Sequence, residues 1–324
     1  MPSYTVACLD VFAPGVRDII SSVAGDDFVI RFAETYDAEE QKGLATSADF
    51  ILVGGAQLPG SYIESGKGLR LIQKWGIGVD KIDLDAARRA RVPVAITAGA
   101  NAGPVAELAI GLMLAVYRRI PFADRNLREG RWLKSEMRGW CHQIDGKTVG
   151  LLGFGAIARM VAHRLRGFDA EIVYHDVNPA DRVTERALRA RLVPFDELIA
   201  RSDIVSVHTP LTAATRGLLD APTIGRMKPG AIVINTARGG IVDEAALAEA
   251  IRSGHLAGAG IDAFAAEPVG PDNPLLTLDR VVLTPHAGGG VLDNVENVAR
   301  HALGNMRKVL DGKPLSPADV VVAA

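Results

Sequence analysis

The feature that most constrains this chain is a pattern that occurs twice: short, almost wholly apolar runs separated by longer amphipathic segments. In the first hundred residues the runs are Tyr4–Leu9, Phe28–Phe32, Phe50–Val53, Leu69–Gln73 and Val92–Ile96. Apolar runs this short read as strands buried on both faces, and the segments between them as helices. That alternation is the signature of a parallel sheet in an α/β domain. A second series begins near Lys147, with runs at Thr148–Leu152, Glu171–His175, Ile204–Val207, Ala231–Asn235, Ala257–Ile261 and Val281–Leu283. Between the series, Pro104 suits the first turn of a helix, and Val105, Leu108, Ala109, Leu112 and Val116 recur at helical spacing as one apolar stripe. This segment reads as the crossing from one domain to the next. A last helical segment, Val291–Leu310, is long enough to return the chain to the first domain.

At 324 residues the chain exceeds what one compact core usually holds, so two domains are expected. The expected fold class is α/β, with two Rossmann-like, doubly wound parallel-sheet domains. Residues 1–100 and 287–324 would form one, discontinuous domain, and residues 101–286 the other. Lys plus Arg is 36 and Asp plus Glu is 38, which gives no reason to expect nucleic acid or an anionic membrane as partner. The longest apolar stretch, near Val105–Tyr117, contains Glu107 and is too short to span a bilayer. Met1–Val6 has no basic segment leading into an apolar core, so no secretory signal is expected. Cys8 and Cys141 are the only cysteines and lie in no C-x-x-C pair. They suit a reducing cytoplasm and the role of small buried hydrophobes.

The second series opens with Gly153-Phe154-Gly155-Ala156-Ile157-Ala158, between a strand and an amphipathic helix. Such a turn alone is a weak signal, and its context strengthens it. Gly153 permits the tight turn, Gly155 lets backbone approach a pyrophosphate, and Ala158 lets the helix pack on the strand. The helix N-terminus then offers N–H groups to phosphate. Asp176 ends the next strand, about 20 residues on, where an acid accepts hydrogen bonds from an adenosine ribose. The alternative is a cap for the turn at Asn178-Pro179. A carboxylate there repels a 2′-phosphate, so NAD is favoured over NADP, with His175 as a neighbour that could soften the exclusion.

Three further side chains follow strand ends or turns. Arg238, in Asn235-Thr236-Ala237-Arg238-Gly239-Gly240, can hold a carboxylate with two parallel hydrogen bonds. His286, in Pro285-His286-Ala287-Gly288-Gly289, is of the residue type that can take a hydroxyl proton as a base and return it as an acid. Glu267, before Pro268, reads by itself as a solvated glutamate before a turn; the family resemblance given below implies instead that it fixes the imidazole tautomer and favours its protonated form. Substituting it by Gln should then lower the pH at which reduction fades. His208 is the one serious rival histidine and is read as lining the adenosine side. No metal site is expected.

The ordered set resembles the D-2-hydroxyacid dehydrogenase family. It comprises the glycine turn, Asp176, Thr209-Pro210-Leu211-Thr212, the Arg238 segment, Asp262-Ala263-Phe264, Glu267-Pro268 and Pro285-His286-x-x-Gly289. The likeness runs from about Trp75 through the last long helix. It implies hydride transfer between NAD and a D-2-hydroxy acid, with Arg238 on the substrate carboxylate, His286 as acid/base and Glu267 paired to it. Cofactor contacts then fall on Gly153, Gly155, Ala156 and Ile157 at the pyrophosphate, Asp176 at the ribose and Thr209 on the adenosine side, with Pro210 and Thr215 in the same set. Thr236 and Ala237 would give backbone contacts, Asp262 would lie near the nicotinamide carboxamide, and Gly289 beside the ring. Ile77 and Gly78 would offer backbone N–H groups to the substrate carboxylate. Lys74 would assist an anionic substrate or stand solvated.

The resemblance also implies an active site in the cleft between the domains, with hinges near Ala98–Gly103 and Pro285–Gly290. It implies a homodimer in contact near the helix that starts at Pro104, and in some relatives the region of Arg138 reaches a neighbour's site. Control through the regulatory domain that some phosphoglycerate dehydrogenases carry after this point is not expected. Phosphoglycerate, glyoxylate, hydroxypyruvate and bulkier keto acids all remain open as substrates. The rivals are an NAD-sensing regulatory protein of the same architecture and a methyltransferase using the glycine turn. Formate dehydrogenase, within the family, lacks support in the residues.

Overall fold

The computed structural model describes residues 4–323. Met1–Ser3, read above for a secretory signal, and Ala324 lie outside the described residues. The chain forms two compact units, Met1–Asn101 with Gly290–Ala324, and Ala102–Gly289.

The elements of the first unit begin with β1 (Tyr4–Cys8), α1 (Pro14–Ala24), β2 (Phe28–Phe32), α2 (Ala38–Thr46) and β3 (Phe50–Val53). They continue with α3 (Gly60–Ser65), β4 (Leu71–Lys74), α4 (Leu84–Ala90) and β5 (Val94–Ala95). The second unit runs α5 (Ala102–Tyr117), α6 (Ile120–Arg128), α7 (Lys134–Trp140), β6 (Thr148–Leu152), α8 (Ala156–Leu165), β7 (Glu171–His175), α9 (Arg182–Leu188) and β8 (Ala190–Leu192). It closes with α10 (Phe195–Arg201), β9 (Ile204–Val207), α11 (Ala221–Gly225), β10 (Ile232–Asn235), α12 (Glu244–Arg252), β11 (Gly258–Ile261) and β12 (Val281–Leu283). The chain then returns to the first unit as α13 (Leu292–Leu310) and β13 (Val320–Val322).

The first sheet has the order β13-β5-β4-β3-β1-β2, and the second β12-β11-β10-β9-β6-β7-β8. Both reverse direction of winding beside their first strand, which is the doubly wound plan. The apolar runs form strands because both sheet faces are covered: β3, β9 and β10 are buried at every position. Each fully buried Val, Leu, Ile or Phe contributes about 1.5–3 kcal/mol relative to exposure.

Four details depart from the sequence expectation. The last strand of the first series is only Val94–Ala95, since Pro93 has no N–H to donate. β13 pairs with β5 antiparallel, so the first sheet carries one antiparallel edge. Helix α5 is buried on more than one stripe, Ala106, Ile110 and Met113 included, because α8 covers one side and β10–β12 another. Cys8 is fully buried, whereas Cys141 is only half-buried, with its Sγ 3.4 Å from the Arg118 carbonyl. Among the described residues no helix is long and apolar enough to cross a membrane.

Candidate functional site

The glycine turn links β6 to α8 beside the point where the strand order reverses. Gly153 has φ +87°, and a Cβ there would come within 2.8 Å of the His208 carbonyl carbon and the Thr209 nitrogen. Only glycine fits that conformation and that space. A Cβ on Gly155, by contrast, would meet nothing within 4 Å. Gly155 is also the N-cap of α8 and supplies no side-chain cap, so the first-turn N–H groups are left without one. Ala158 is completely buried, as close helix–strand packing requires. Ala156 is exposed and Ile157 half-buried at the helix start.

Asp176 stands at the end of β7. Its Oδ2 accepts the Phe154 N–H at 2.6 Å, and its Oδ1 accepts the Asn178 N–H at 2.7 Å. The second bond is the turn cap weighed against the ribose role. Each oxygen keeps a further lone pair, so the cap leaves acceptors for a ribose diol. An open helix N-terminus, a cleared glycine and an acid at the neighbouring strand end fit an adenine dinucleotide.

His286 and Glu267 meet: Nδ1 of the imidazole lies 2.8 Å from Oε1 of the carboxylate. Oε1 also accepts the Phe264 N–H at 3.2 Å, which fixes the carboxylate from its own loop. With a carboxylate as acceptor, Nδ1 carries the proton, and Nε2 is left to exchange one with a ligand. The Glu267–Pro268 peptide is cis. His286 has φ +53°, an uncommon conformation for a residue with a Cβ, of the kind that surrounding bonds must enforce. Its N–H donates to the carbonyls of Asp262 at 2.8 Å and Thr284 at 3.0 Å.

Asp262 builds that turn. It is buried to 1% exposure at the end of β11. Its Oδ1 accepts from Thr284 Oγ1 and from the Ala287 N–H, both at 2.7 Å, and its Oδ2 accepts from the Gly288 N–H at 3.0 Å. The side chain assigned by resemblance to the nicotinamide carboxamide is thus engaged by the turn that carries His286. Gly289, half-buried, follows directly.

Arg238 lies on the loop after β10, half-buried, with Nη1 on the Ala237 carbonyl at 2.7 Å. This loop abuts the Glu267 loop. A Cβ on Gly239 would overlap the Phe264 carbonyl, and Asn235 Nδ2 reaches both the Arg238 carbonyl, at 2.9 Å, and the Ala263 carbonyl, at 3.4 Å. Thr236 is buried, and its Oγ1 has no hydrogen-bond partner among the described residues. Ala237 is half-buried and donates its N–H to Asn235 Oδ1 at 3.1 Å.

Other assigned residues hold the fold as well. Thr215 Oγ1 donates to the Pro210 carbonyl at 2.6 Å and accepts from the Thr212 N–H at 2.8 Å, so it closes the loop after β9. Thr209 is half-buried and Pro210 exposed. His208 bonds Ser206 Oγ through Nε2 at 2.9 Å, while its Nδ1 is buried without a partner among the described residues. Burial pushes its pKa from 6.5 down to about 4, so it is neutral where His286 would work.

In the first unit Lys74 is buried, and its ammonium donates to the Gly54 carbonyl. The solvated reading of this lysine is therefore overturned, because β4 carries it into the sheet. Trp75 packs on Phe12 at 5.5 Å between ring centres. Gly76 has φ +109° and is tied to Thr97 in both directions, N–H to Oγ1 at 2.9 Å and carbonyl to N–H at 3.0 Å. Ile77 is exposed and Gly78 half-buried beyond it. Arg138 is exposed on α7. Sequence reasoning missed Glu244, which bonds the Ala265 N–H at 2.6 Å and Asn273 Nδ2 at 2.5 Å and so steadies the Glu267 loop. Its position at the start of a helix signalled only a favourable dipole interaction.

Residues 110–288 match the family model described as D-isomer specific 2-hydroxyacid dehydrogenase, NAD binding domain. The chain is 39% identical over 292 residues to D-3-phosphoglycerate dehydrogenase of Mycobacterium bovis, a match over 89% of this chain and 54% of that protein. It is 40% identical over 264 residues to hydroxypyruvate reductase of Thermotoga maritima, over 81% of this chain and 84% of that one. The structure of NAD-dependent formate dehydrogenase from Staphylococcus aureus in complex with NAD aligns with TM-score 0.87 at 28% identity, over 99% of each chain. The chain spans about half the length of the phosphoglycerate dehydrogenases it matches.

Proposed function

The chain belongs to the D-isomer specific 2-hydroxyacid dehydrogenase family, and on that premise we propose that it interconverts a D-2-hydroxy acid and its 2-keto acid with NAD(H). The observation that carries the proposal is the His286–Glu267 pair at 2.8 Å, on a turn held by Asp262. Bound NAD would supply the two-electron acceptor, C4 of its nicotinamide.

The residues divide the work as follows. Arg238 pairs with the substrate carboxylate through the two-pronged guanidinium fork. Nε2 of His286 takes the hydroxyl proton as the carbonyl forms and the C2 hydrogen leaves as hydride. Glu267 holds Nδ1–H and stabilises the imidazolium so formed. In reduction the same proton returns to the carbonyl oxygen. Such a positioned acid/base contributes about 10²–10⁴ in rate. Gly153, Gly155, Ala156 and Ile157 hold the pyrophosphate, Asp176 the ribose, and Thr209, Pro210 and Thr215 the adenosine side. Thr236, Ala237, Asp262 and Gly289 complete the cofactor set. Ile77 and Gly78 offer N–H groups to the substrate, and Lys74 supports their loop. The Asp176 carboxylate makes NAD the preferred dinucleotide, since it repels a 2′-phosphate.

The substrate class follows the named relatives: 3-phosphoglycerate, hydroxypyruvate or glyoxylate. We also infer a cytoplasmic homodimer. Leu127 and Trp132, exposed at 57% and 75%, offer apolar surface that a second copy would cover. Light scattering after size exclusion tests the dimer. The activity is tested by Arg238→Ala, which should lose most turnover with every 2-keto acid and still bind NADH. Undiminished turnover in that variant refutes the role of Arg238.

A further inference from the structure

The carboxylate that meets His286 stands on a poorly covered loop. Phe264 at one end of that loop and Leu275 at the other are buried. Between them, residues 265–272 are exposed apart from the half-buried Val269. A segment with so little packing opens more easily than the strands that flank it. Yet Glu267 Oε1 lies 2.8 Å from His286 Nδ1, a contact that a loose loop would lose.

Glu244 holds both ends of this loop. Its Oε1 accepts the Ala265 N–H at 2.6 Å, and its Oε2 accepts from Asn273 Nδ2 at 2.5 Å. The Asn273 amide is oriented by its own oxygen, which accepts the Leu275 N–H at 3.0 Å. The platform under Glu244 is firm. Ile241 and Val242 before it are buried, and the Asp243 N–H donates to the Leu219 carbonyl at 3.0 Å. Asp243 then caps α12 by accepting the N–H groups of Ala245 and Ala246, both at 3.0 Å. Glu244 is the first residue of α12, where the helix dipole favours its charge. Hydrogen bonds to an ionised carboxylate are roughly twice as strong as neutral ones.

We propose, on the acid/base reading of His286 and Glu267 above, that Glu244 is a positioning residue: it braces the Glu267 loop against the start of α12 and so sets the Glu267 carboxylate on His286. Its effect passes through Glu267, so it shows in proton transfer and not in binding. A helix-start acid that served only the dipole would add stability and leave turnover alone. The brace also joins the two loops that handle substrate, because the segment leading into α12 is the one that carries Arg238.

The test is steady-state reduction of hydroxypyruvate and glyoxylate by the unsubstituted chain, Glu244→Ala, Glu267→Gln and the double variant, with NADH binding followed by fluorescence. Glu244→Ala should lower kcat about tenfold or more, since a small misplacement of an acid/base group costs that much. KM and NADH affinity should stay within about twofold. In the Glu267→Gln background the same substitution should change kcat by no more than about twofold, because no carboxylate remains to be placed. Glu244→Gln keeps an oxygen for the Ala265 N–H but turns an amide toward that of Asn273, so it should recover only part of the loss. Asn273→Ala removes one of the two bonds, should lower kcat in the same background-dependent way, and serves if Glu244→Ala melts early. Unchanged kcat in both Ala variants, equal fold losses in the two backgrounds, or a loss confined to KM would overturn the proposal. If the unsubstituted chain reduces a keto acid and Glu267→Gln slows it, the acid/base reading stands whatever Glu244→Ala does.

Discussion

In the first unit the switch point between β1 and β3 is filled by Asp10; in the second the switch point between β6 and β9 opens at Gly155. Asp10 is nearly buried, and its carboxylate accepts the N–H groups of Gly54, of Gly55 at 2.5 Å and of Ala56 at 3.1 Å. Lys74 and Lys81 hold the carbonyls of Gly54 and Gly55. The donors that could have greeted a phosphate are thus already bonded to a negative side chain. In the second unit the Phe154 N–H goes to Asp176, while the start of α8 at Gly155 meets no Cβ and no capping side chain. The sheet plan places a crevice in both units; a few residues at its lip decide whether it takes a nucleotide.

The largest expected effect that sharpens this comparison comes from glycine. Gly153→Ala puts a Cβ against the His208 carbonyl at positive φ. It should cost about 2–4 kcal/mol of stability and weaken NADH binding about tenfold or more. Gly55→Ala meets only Asp10 Oδ1 at 3.5 Å and should stay within about 0.5 kcal/mol. Denaturant melts and NADH fluorescence titration read both, and equal effects would break the contrast.

The next effect compares the two aspartates. Asp10 and Asp262 each accept three hydrogen bonds from a neighbouring turn. Asn at either place turns an amide donor toward backbone N–H groups and should cost about 1–3 kcal/mol. Only Asp262→Asn should also lower kcat, by about tenfold, because its turn aims His286. Equal kcat losses in both variants would mean that the turn confers no special alignment.

The smallest effect concerns His208, beside the glycine turn. Its folded pKa of about 4 lies below its ordinary 6.5. Between these values the unfolded chain takes a proton that the folded chain refuses, so stability is lost as pH falls from 6.5 toward 4. His208→Gln should flatten this part of the Tm-against-pH curve relative to the unsubstituted chain. Parallel curves would show that the imidazole is better solvated than its surroundings suggest.

Much of the fold was legible because its strands are buried on both faces, so runs such as Phe50–Val53 and Ile204–Val207 stand out without alternation. β13 was not, being three residues long and defined by its antiparallel pairing with β5, the part of the run Val92–Ile96 that forms a strand. α6 and α7 follow the apolar α5 as helices of only nine and seven residues, largely exposed, so neither stands out as a buried segment. In the site, the glycine turn and Asp176 were readable from local spacing. The Glu267–His286 contact was not, since 19 residues and a whole strand separate them; family resemblance supplied it. Nor does any sequence signal report that Asp262 faces its own turn, that Thr215 closes a loop, or that Lys74 is buried. Those facts follow from which donors lie near once the strands are aligned.

The most direct test of the central claim is steady-state oxidation of NADH with glyoxylate, hydroxypyruvate and 3-phosphohydroxypyruvate, by the unsubstituted chain and by His286→Gln, with NADH binding measured in parallel. The account predicts turnover of at least one keto acid, a fall of about 10²-fold or more in the variant, and unchanged NADH binding. Comparable turnover in His286→Gln, or none by the unsubstituted chain with any of the three, would contradict it.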